Sequence, residues 1–196
     1  YAKGGGVCTI SGTNTLENCS ITGNTASASA SAYAKGGGVY IYSGTNTLLG
    51  TMNITGNTVK VGSTSSDNNL YLRSSYKVAL SDSNGNKLST NSKIGVTTLT
   101  APTLSKNVQF ATDATDAMKA CFTPDQAERE VVHENGELYL QFCYDVIYQS
   151  GNAFYTDEAC SSANKISDIT NLSTAVKYAK KISFVGVYNA TSDETV

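Results

Sequence analysis

The sequence predicts an all-β fold, a right-handed parallel β-helix of stacked rungs, on three observations. The first is an internal repeat. Tyr1-Ala2-Lys3-Gly4-Gly5-Gly6-Val7 returns as Tyr33-Ala34-Lys35-Gly36-Gly37-Gly38-Val39, and Ser11-Gly12-Thr13-Asn14-Thr15-Leu16 returns as Ser43-Gly44-Thr45-Asn46-Thr47-Leu48, both 32 residues on. Ile21-Thr22-Gly23-Asn24-Thr25 returns 33 residues on as Ile54-Thr55-Gly56-Asn57-Thr58, so the second copy carries one inserted residue. A repeat in this size range is the mark of a solenoid, whose rungs bury their inner faces only by stacking. The second observation is a composition that is polar without being charged. Ser, Thr, Asn and Gly supply about two fifths of the 196 residues, while charged residues are 15% against roughly 25% in an average domain. The third is period-2 patterning in short runs bounded by Gly and Asn.

The same numbers restrict the function. A net charge of −2 with no basic run argues against a nucleic-acid partner. No stretch approaches the roughly 18 apolar residues of a membrane span. A hydrophobic content of 40% is too high for a charge-rich disordered polymer. The chain opens at Tyr1 without a Met or a signal peptide and stops at Val196 just past a strand-like run, so it is expected to be an excerpt of a longer polypeptide.

Taken in order, residues 1–60 read as regular rungs. Gly-Gly-Gly makes a corner where backbone passes without a Cβ. In Val39-Tyr40-Ile41-Tyr42, Val39 and Ile41 share one face and the two tyrosines the other. A turn at Ser43–Asn46 leads to a second strand carrying Met52 and Ile54 inward, and Gly56-Asn57 closes the next corner, where Asn or Thr at equivalent positions can form hydrogen-bonded ladders. Val7, Cys19 and Ile21 are the inward equivalents in the first copy. The alternating Ala26–Ser31 stretch and the polar Ser63–Asn69 stretch are expected to bulge as loops.

Residues 61–149 read as irregular last rungs and a cap. Leu70-Tyr71-Leu72, Val78-Ala79-Leu80 and Ile94-Gly95-Val96 are the strands of the next rungs, with a tight turn at Asn84-Gly85. Val108-Gln109-Phe110 and Leu138–Phe142 are strands of the cap. Thr123-Pro124-Asp125-Gln126 has the pattern of a helix start and predicts a short helix near 124–130. Residues 150–196 read as a fresh start: a helix with Leu172, Val176 and Ala179 on one face and Ala175 beside them, then a buried strand Ile182–Val187. A short helix leading into a strand covers an exposed β-helix end, so this segment is expected to open a second β-helix.

Gly-Gly-Gly-Val followed by Ile-Thr-Gly-Asn-Thr resembles the repeats of secreted bacterial right-handed parallel β-helix proteins, including polymorphic outer-membrane protein and autotransporter passenger regions. The resemblance is clear over about residues 1–60 and implies an extracellular or cell-surface location. It specifies architecture far better than activity.

Candidate chemistry is sparse. The one histidine, His133, has no G-x-S-x-G nucleophile elbow with it and reads as a turn or strand-end residue. Asp113, Asp116, Asp125, Glu128 and Glu130 gather in the expected cap and read as a solvated face, and Glu17 is the one acid in the regular repeats. The two arginines are Arg73 and Arg129. Asp82–Asn86 lacks the glycine and glutamate of a calcium loop, and the glycine corners lead into strands rather than phosphate-binding helices. The five cysteines show no C-x-x-C spacing. Cys19 is expected to be a buried free thiol, and the candidate disulfide pairs are Cys143 with Cys160 or with Cys121. No catalytic group, metal site or cofactor is assigned.

Tyrosine is the abundant aromatic, 12 against 5 Phe and no Trp. Outward Tyr40 and Tyr42 are the candidate binding residues, because exposed aromatic ladders stack on sugar rings or on protein surfaces; ordinary strand formation is the competing account. The expected function is a non-enzymatic extracellular structural or adhesive β-solenoid segment of a larger cell-surface or fibre protein. Its expected partners are a glycan, a host or cell-surface protein, or another copy end to end. The alternative is a carbohydrate-active β-helix enzyme, which a groove with clustered acids plus Arg or Lys would favour.

Overall fold

The computed structural model describes residues 1–186. They fall into two units, one of Tyr1–Gln126 with Glu130–Gln141, the other of Ala127–Arg129 with the chain from Phe142 onward. The first unit is the β-solenoid. Its first rung is Val7–Thr9, Thr13–Glu17 and Ser20–Thr22, and its second is Val39–Ile41, Thr45–Leu49 and Asn53–Thr55. The two rungs stack in parallel at the offsets of the sequence repeat: Val7 on Val39, Asn14 on Asn46, Ile21 on Ile54.

Leu70–Leu72 and Val78–Ala79 continue two of the three sheets. The strand Lys93–Thr98 then serves two sheets at once. Lys93 and Ile94 lie on Asn53 and Ile54, while Val96–Thr98 lie on Leu70–Leu72. One unbroken strand therefore turns the corner that the first two rungs turn through glycines. A last rung follows with Val108–Thr112 and Phe122–Pro124, the latter parallel to Ile94–Val96. Glu137–Phe142 pairs antiparallel with Val108–Thr112, and Arg129–Glu134 follows it in the sheet order, ending the parallel stack.

The core follows the period-2 pattern. Val39, Ile41, Met52, Ile54, Leu70, Leu72, Ile94 and Val96 are all within 1% of full burial, with Phe110 and Leu138 beside them. Val7, Leu16, Cys19 and Ile21 pack on this core and stay half-buried, because among the described residues the first rung has a neighbour on one side only. Cys19 is thus partly rather than fully buried, and no disulfide joins the cysteines among the described residues.

Four expectations need correction. The Ala26–Ser31 stretch is half strand: Thr25–Ala28 lies parallel on Thr58–Val61, with Ala26 buried against Ala34 and Val59. Likewise Thr64–Asp67 folds back antiparallel on Thr58–Val61. Both stretches lack apolar alternation, so their pairing shows only once the neighbouring strand is in place. No helix forms at 124–130. The helical turn is a 3₁₀ segment at Asp116–Cys121, and Pro124 ends an edge strand, where its missing N–H costs no ladder bond.

The fourth correction lies in the second unit. The helix is Leu172–Lys177, capped by Asn171, whose Oδ1 accepts the Thr174 N–H at 2.8 Å. It buries Ala175 and half-buries Leu172, Tyr178 and Ala179, but Val176 is 61% exposed. The buried face thus steps by three residues from Leu172 to Ala175. The strand is Ile182–Phe184, parallel to Ile147–Ser150, with Phe184 52% exposed; Val187 and Val196 lie outside the described residues.

The corner Gly36-Gly37-Gly38 requires each glycine for a separate reason. Gly36 has φ +62°, a Cβ on Gly37 would stand 2.2 Å from Thr58 O, and one on Gly38 would stand 2.7 Å from Asn57 Nδ2. Because Gly38 is not in the left-handed region, Gly38→Ala tests steric fit alone. It is expected to cost about 1–3 kcal/mol, read as a lowered urea midpoint; an unchanged midpoint would mean the corner opens freely.

Candidate functional site

The polar residues with the most hydrogen-bonding capacity converge on that corner. Asn24 donates its backbone N–H and its Nδ2–H to Asn57 Oδ1, both at 3.0 Å. Asn57 repeats the pattern onto Asn69 Oδ1, at 2.8 and 3.0 Å. Asn69 repeats it onto a carboxylate, its N–H to Asp125 Oδ2 at 2.8 Å and its Nδ2–H to Asp125 Oδ1 at 2.6 Å. Thr97 Oγ1 adds a third donor to Asp125 Oδ2 at 2.8 Å. From side chain to side chain the ladder has one polarity, each amide donating toward the last rung, and it ends on the Asp125 carboxylate; Asn57 Nδ2 also donates back to Ile21 O of the first rung at 2.7 Å. Asn57 is fully buried. Gly95 makes room for the lower steps, since a Cβ there would stand 2.2 Å from Asp125 Oδ1 and 2.3 Å from Asn69 Nδ2.

Burial raises the Asp125 carboxyl above its ordinary range, and nearby Asp67 adds to the effect against the opposing hydrogen bonds from Asn69 and Thr97. A cleft of about 450 Å³ opens beside it, with Thr55, Asp67, Asn69, Lys93, Thr123 and Asp125 in its lining beside apolar residues such as Ile94 and Ala120. This site places two carboxylates and a lysine together. The sequence pattern puts Asp125 in a helix start and on a solvated acidic face, whereas the structure buries it at the end of the ladder; Asp67 and Lys93 carry no local signal of the cleft.

The aromatic face is organised differently from expectation. Tyr40 points away from the core but is only 4% exposed, because Tyr71 of the next rung stacks on it at 5.3 Å with ring planes 6° apart. Tyr71 itself is 2% exposed. Cations cover the rest: Lys3 Nζ stands 5.8 Å from the Tyr40 ring, Lys35 Nζ 5.2 Å from Tyr71, and the Arg73 guanidinium 4.0 Å from Tyr42. Burial, with Tyr40 beside it, pushes the Tyr71 hydroxyl up to about 12 against the pull of Arg73. Tyr40 is therefore a packing residue between rungs and presents no open ring. Tyr42 remains half-buried, with Lys3 Nζ 5.1 Å from its ring. The exposed aromatic pair is Tyr1 and Tyr33, 89% and 64% exposed and stacked at 5.9 Å. The Leu70-Tyr71-Leu72 strand was legible; its register under Val39-Tyr40-Ile41 was not, because no glycine corner precedes it.

Other candidates stay apart. His133 Nε2 lies 3.3 Å from Ala114 O and its Nδ1 3.7 Å from Asp116. Asp82 closes its own turn, accepting the Asn84 and Asn86 N–H groups at 2.9 Å. Among the described residues no group of three or more His, Cys, Asp or Glu could hold a metal ion, and no helix is long and apolar enough to cross a membrane. No family model, curated protein or solved structure matches the chain.

The raised Asp125 carboxyl makes stability depend on pH with a definite sign. The folded state holds this proton more tightly than the unfolded chain does. The group's contribution is full below the ordinary value of 3.8 and is lost as pH climbs through the higher folded value. Asp125→Asn removes the titration. Urea midpoints from about pH 3.5 to about pH 7 should therefore show the natural protein losing stability relative to the variant as pH rises; parallel curves would mean that Asp125 titrates as an ordinary carboxylate.

Proposed function

We propose that the chain is a non-enzymatic structural or adhesive β-solenoid segment of an extracellular or cell-surface protein. The observation that carries this reading is the use to which its most capable side chains are put. Asn24, Asn57, Asn69 and Asp125 bond from rung to rung, and Tyr40 and Tyr71 stack from rung to rung. Such a rod gains rigidity from every added rung. Adhesion would use what the stacking leaves open, namely the Tyr1–Tyr33 pair and half-buried Tyr42 between Lys3 and Arg73. Exposed stacked rings suit sugar rings, and a ring held between cations suits an acidic protein surface.

The cleft at Asp67, Lys93 and Asp125 favours a second reading, a carbohydrate-active enzyme, since acids and a base in one groove are what glycan cleavage requires. Against it, both Asp125 oxygens already accept hydrogen bonds from Asn69 and Thr97. Glycan-array and cell-surface binding, run beside cleavage assays on acidic and neutral polysaccharides, separate the two. Binding that Tyr33→Ala weakens, without turnover, is the expected outcome. Turnover that disappears in Asp67→Asn and Lys93→Ala would replace the structural reading with the enzymatic one.

A further inference from the structure

Among the described residues the polar ladder has no donor at its first-rung end. Each step has the same form: the residue nearer the first rung donates its N–H and its Nδ2–H to the carboxamide or carboxylate oxygen of the next. Asn57 holds its amide for this by donating Nδ2–H to Thr55 O, two residues back, at 3.0 Å. Asn24 makes the same bond to Thr22 O at 3.2 Å. Its Oδ1 is thus set as Asn57 Oδ1 is set, yet among the described residues it accepts no hydrogen bond. Asn14 repeats the situation on the adjacent sheet, donating Nδ2–H to Asn46 Oδ1 at 3.2 Å while its own Oδ1 accepts none among the described residues. Beneath these amides, Val7, Leu16, Cys19 and Ile21 are half-buried, whereas their second-rung counterparts Val39, Leu48, Met52 and Ile54 are within 1% of full burial.

We propose that the open edge of the first rung is a docking site for a further rung of the same repeat. Its occupant is a segment with a GGGV strand, a GTNTL strand and an ITGNT corner, and Asn24 Oδ1 selects it by accepting the backbone and side-chain N–H groups of that corner's asparagine. The inference rests on the structural reading above and extends the interface already formed between the first and second rungs. A second copy of the present chain does not fit. Its last rung ends in Asp125, which has no proton to donate as a carboxylate and whose oxygens are engaged. Its first rung would bring acceptor against acceptor at Asn24.

The test joins a second copy of residues 1–32 ahead of Tyr1 of the full chain and follows hydrogen exchange at Val7–Thr9 and Thr13–Glu17. The added rung should slow exchange there at least about tenfold. The same added copy carrying Asn24→Asp, which keeps the backbone N–H but loses the donating amide, should recover less than half of that gain on a logarithmic scale. Unchanged exchange, or equal protection by both added copies, would overturn the proposal. So would concentration-dependent protection of these amides in the unextended chain, which would make a second copy the occupant. Turnover of a glycan with normal protection by the added rung would instead defeat the structural reading while leaving the edge chemistry intact.

Discussion

Asparagine side chains running through a gap left by glycine are the constraint on which the solenoid depends. A backbone that turns a sharp corner in every rung leaves N–H groups inside the turn that the parallel sheets do not reach, and a buried donor without a partner costs about 1–3 kcal/mol. Asn57 meets that demand for Asn24 and Asn69 meets it for Asn57, each through one oxygen. The side chains need space within the corner, and Gly38 and Gly95 supply it. Gly37 lets two backbones approach where a Cβ would stand 2.2 Å from Thr58 O. The corner thus sets the register, and a slip by one residue would move every inward side chain to the solvent face.

The outer aromatic face obeys the same logic in apolar form. Tyr40 and Tyr71 lie in register because their strands do, and flat rings one strand spacing apart stack. Lys3, Lys35 and Arg73 lie over the ring faces. The Ser, Thr and Asn excess has a comparable origin. Uncharged polar residues repeat from rung to rung without like-charge repulsion, as Asn14 with Asn46 and Thr25 with Thr58 show.

Asp125 joins stability to the cleft. As the terminus of the ladder it accepts three donors, and its burial beside the cleft raises its proton affinity, with nearby Asp67 adding to the rise. A neutral side chain there would sacrifice an acceptor, whereas a fully solvated carboxylate would leave Asn69 without its partner. Using one group for both purposes ties the geometry of the cleft to the completion of the last rung.

From the chain alone, the repeat fixes the parallel stack, the offsets of 32 and 33 and the inward set of Val39, Ile41, Met52 and Ile54, because a solenoid places repeated residues over one another and period-2 alternation divides the two faces. Its glycine corners and the possibility of asparagine ladders are equally legible, being local. Tertiary structure alone decided what replaces the corner after it disappears. Lys93–Thr98 runs through it as one strand, Asn69 enters the ladder only 12 residues after Asn57 rather than a full repeat later, and Asp125 ends it from 56 residues away. Local reading turned Thr123–Gln126 into a helix start because an N-cap pattern carries no information about a distant donor. It also left Tyr40 open to solvent, since burial of an outward residue depends on which ring the next rung brings over it, and that register is a property of the stack.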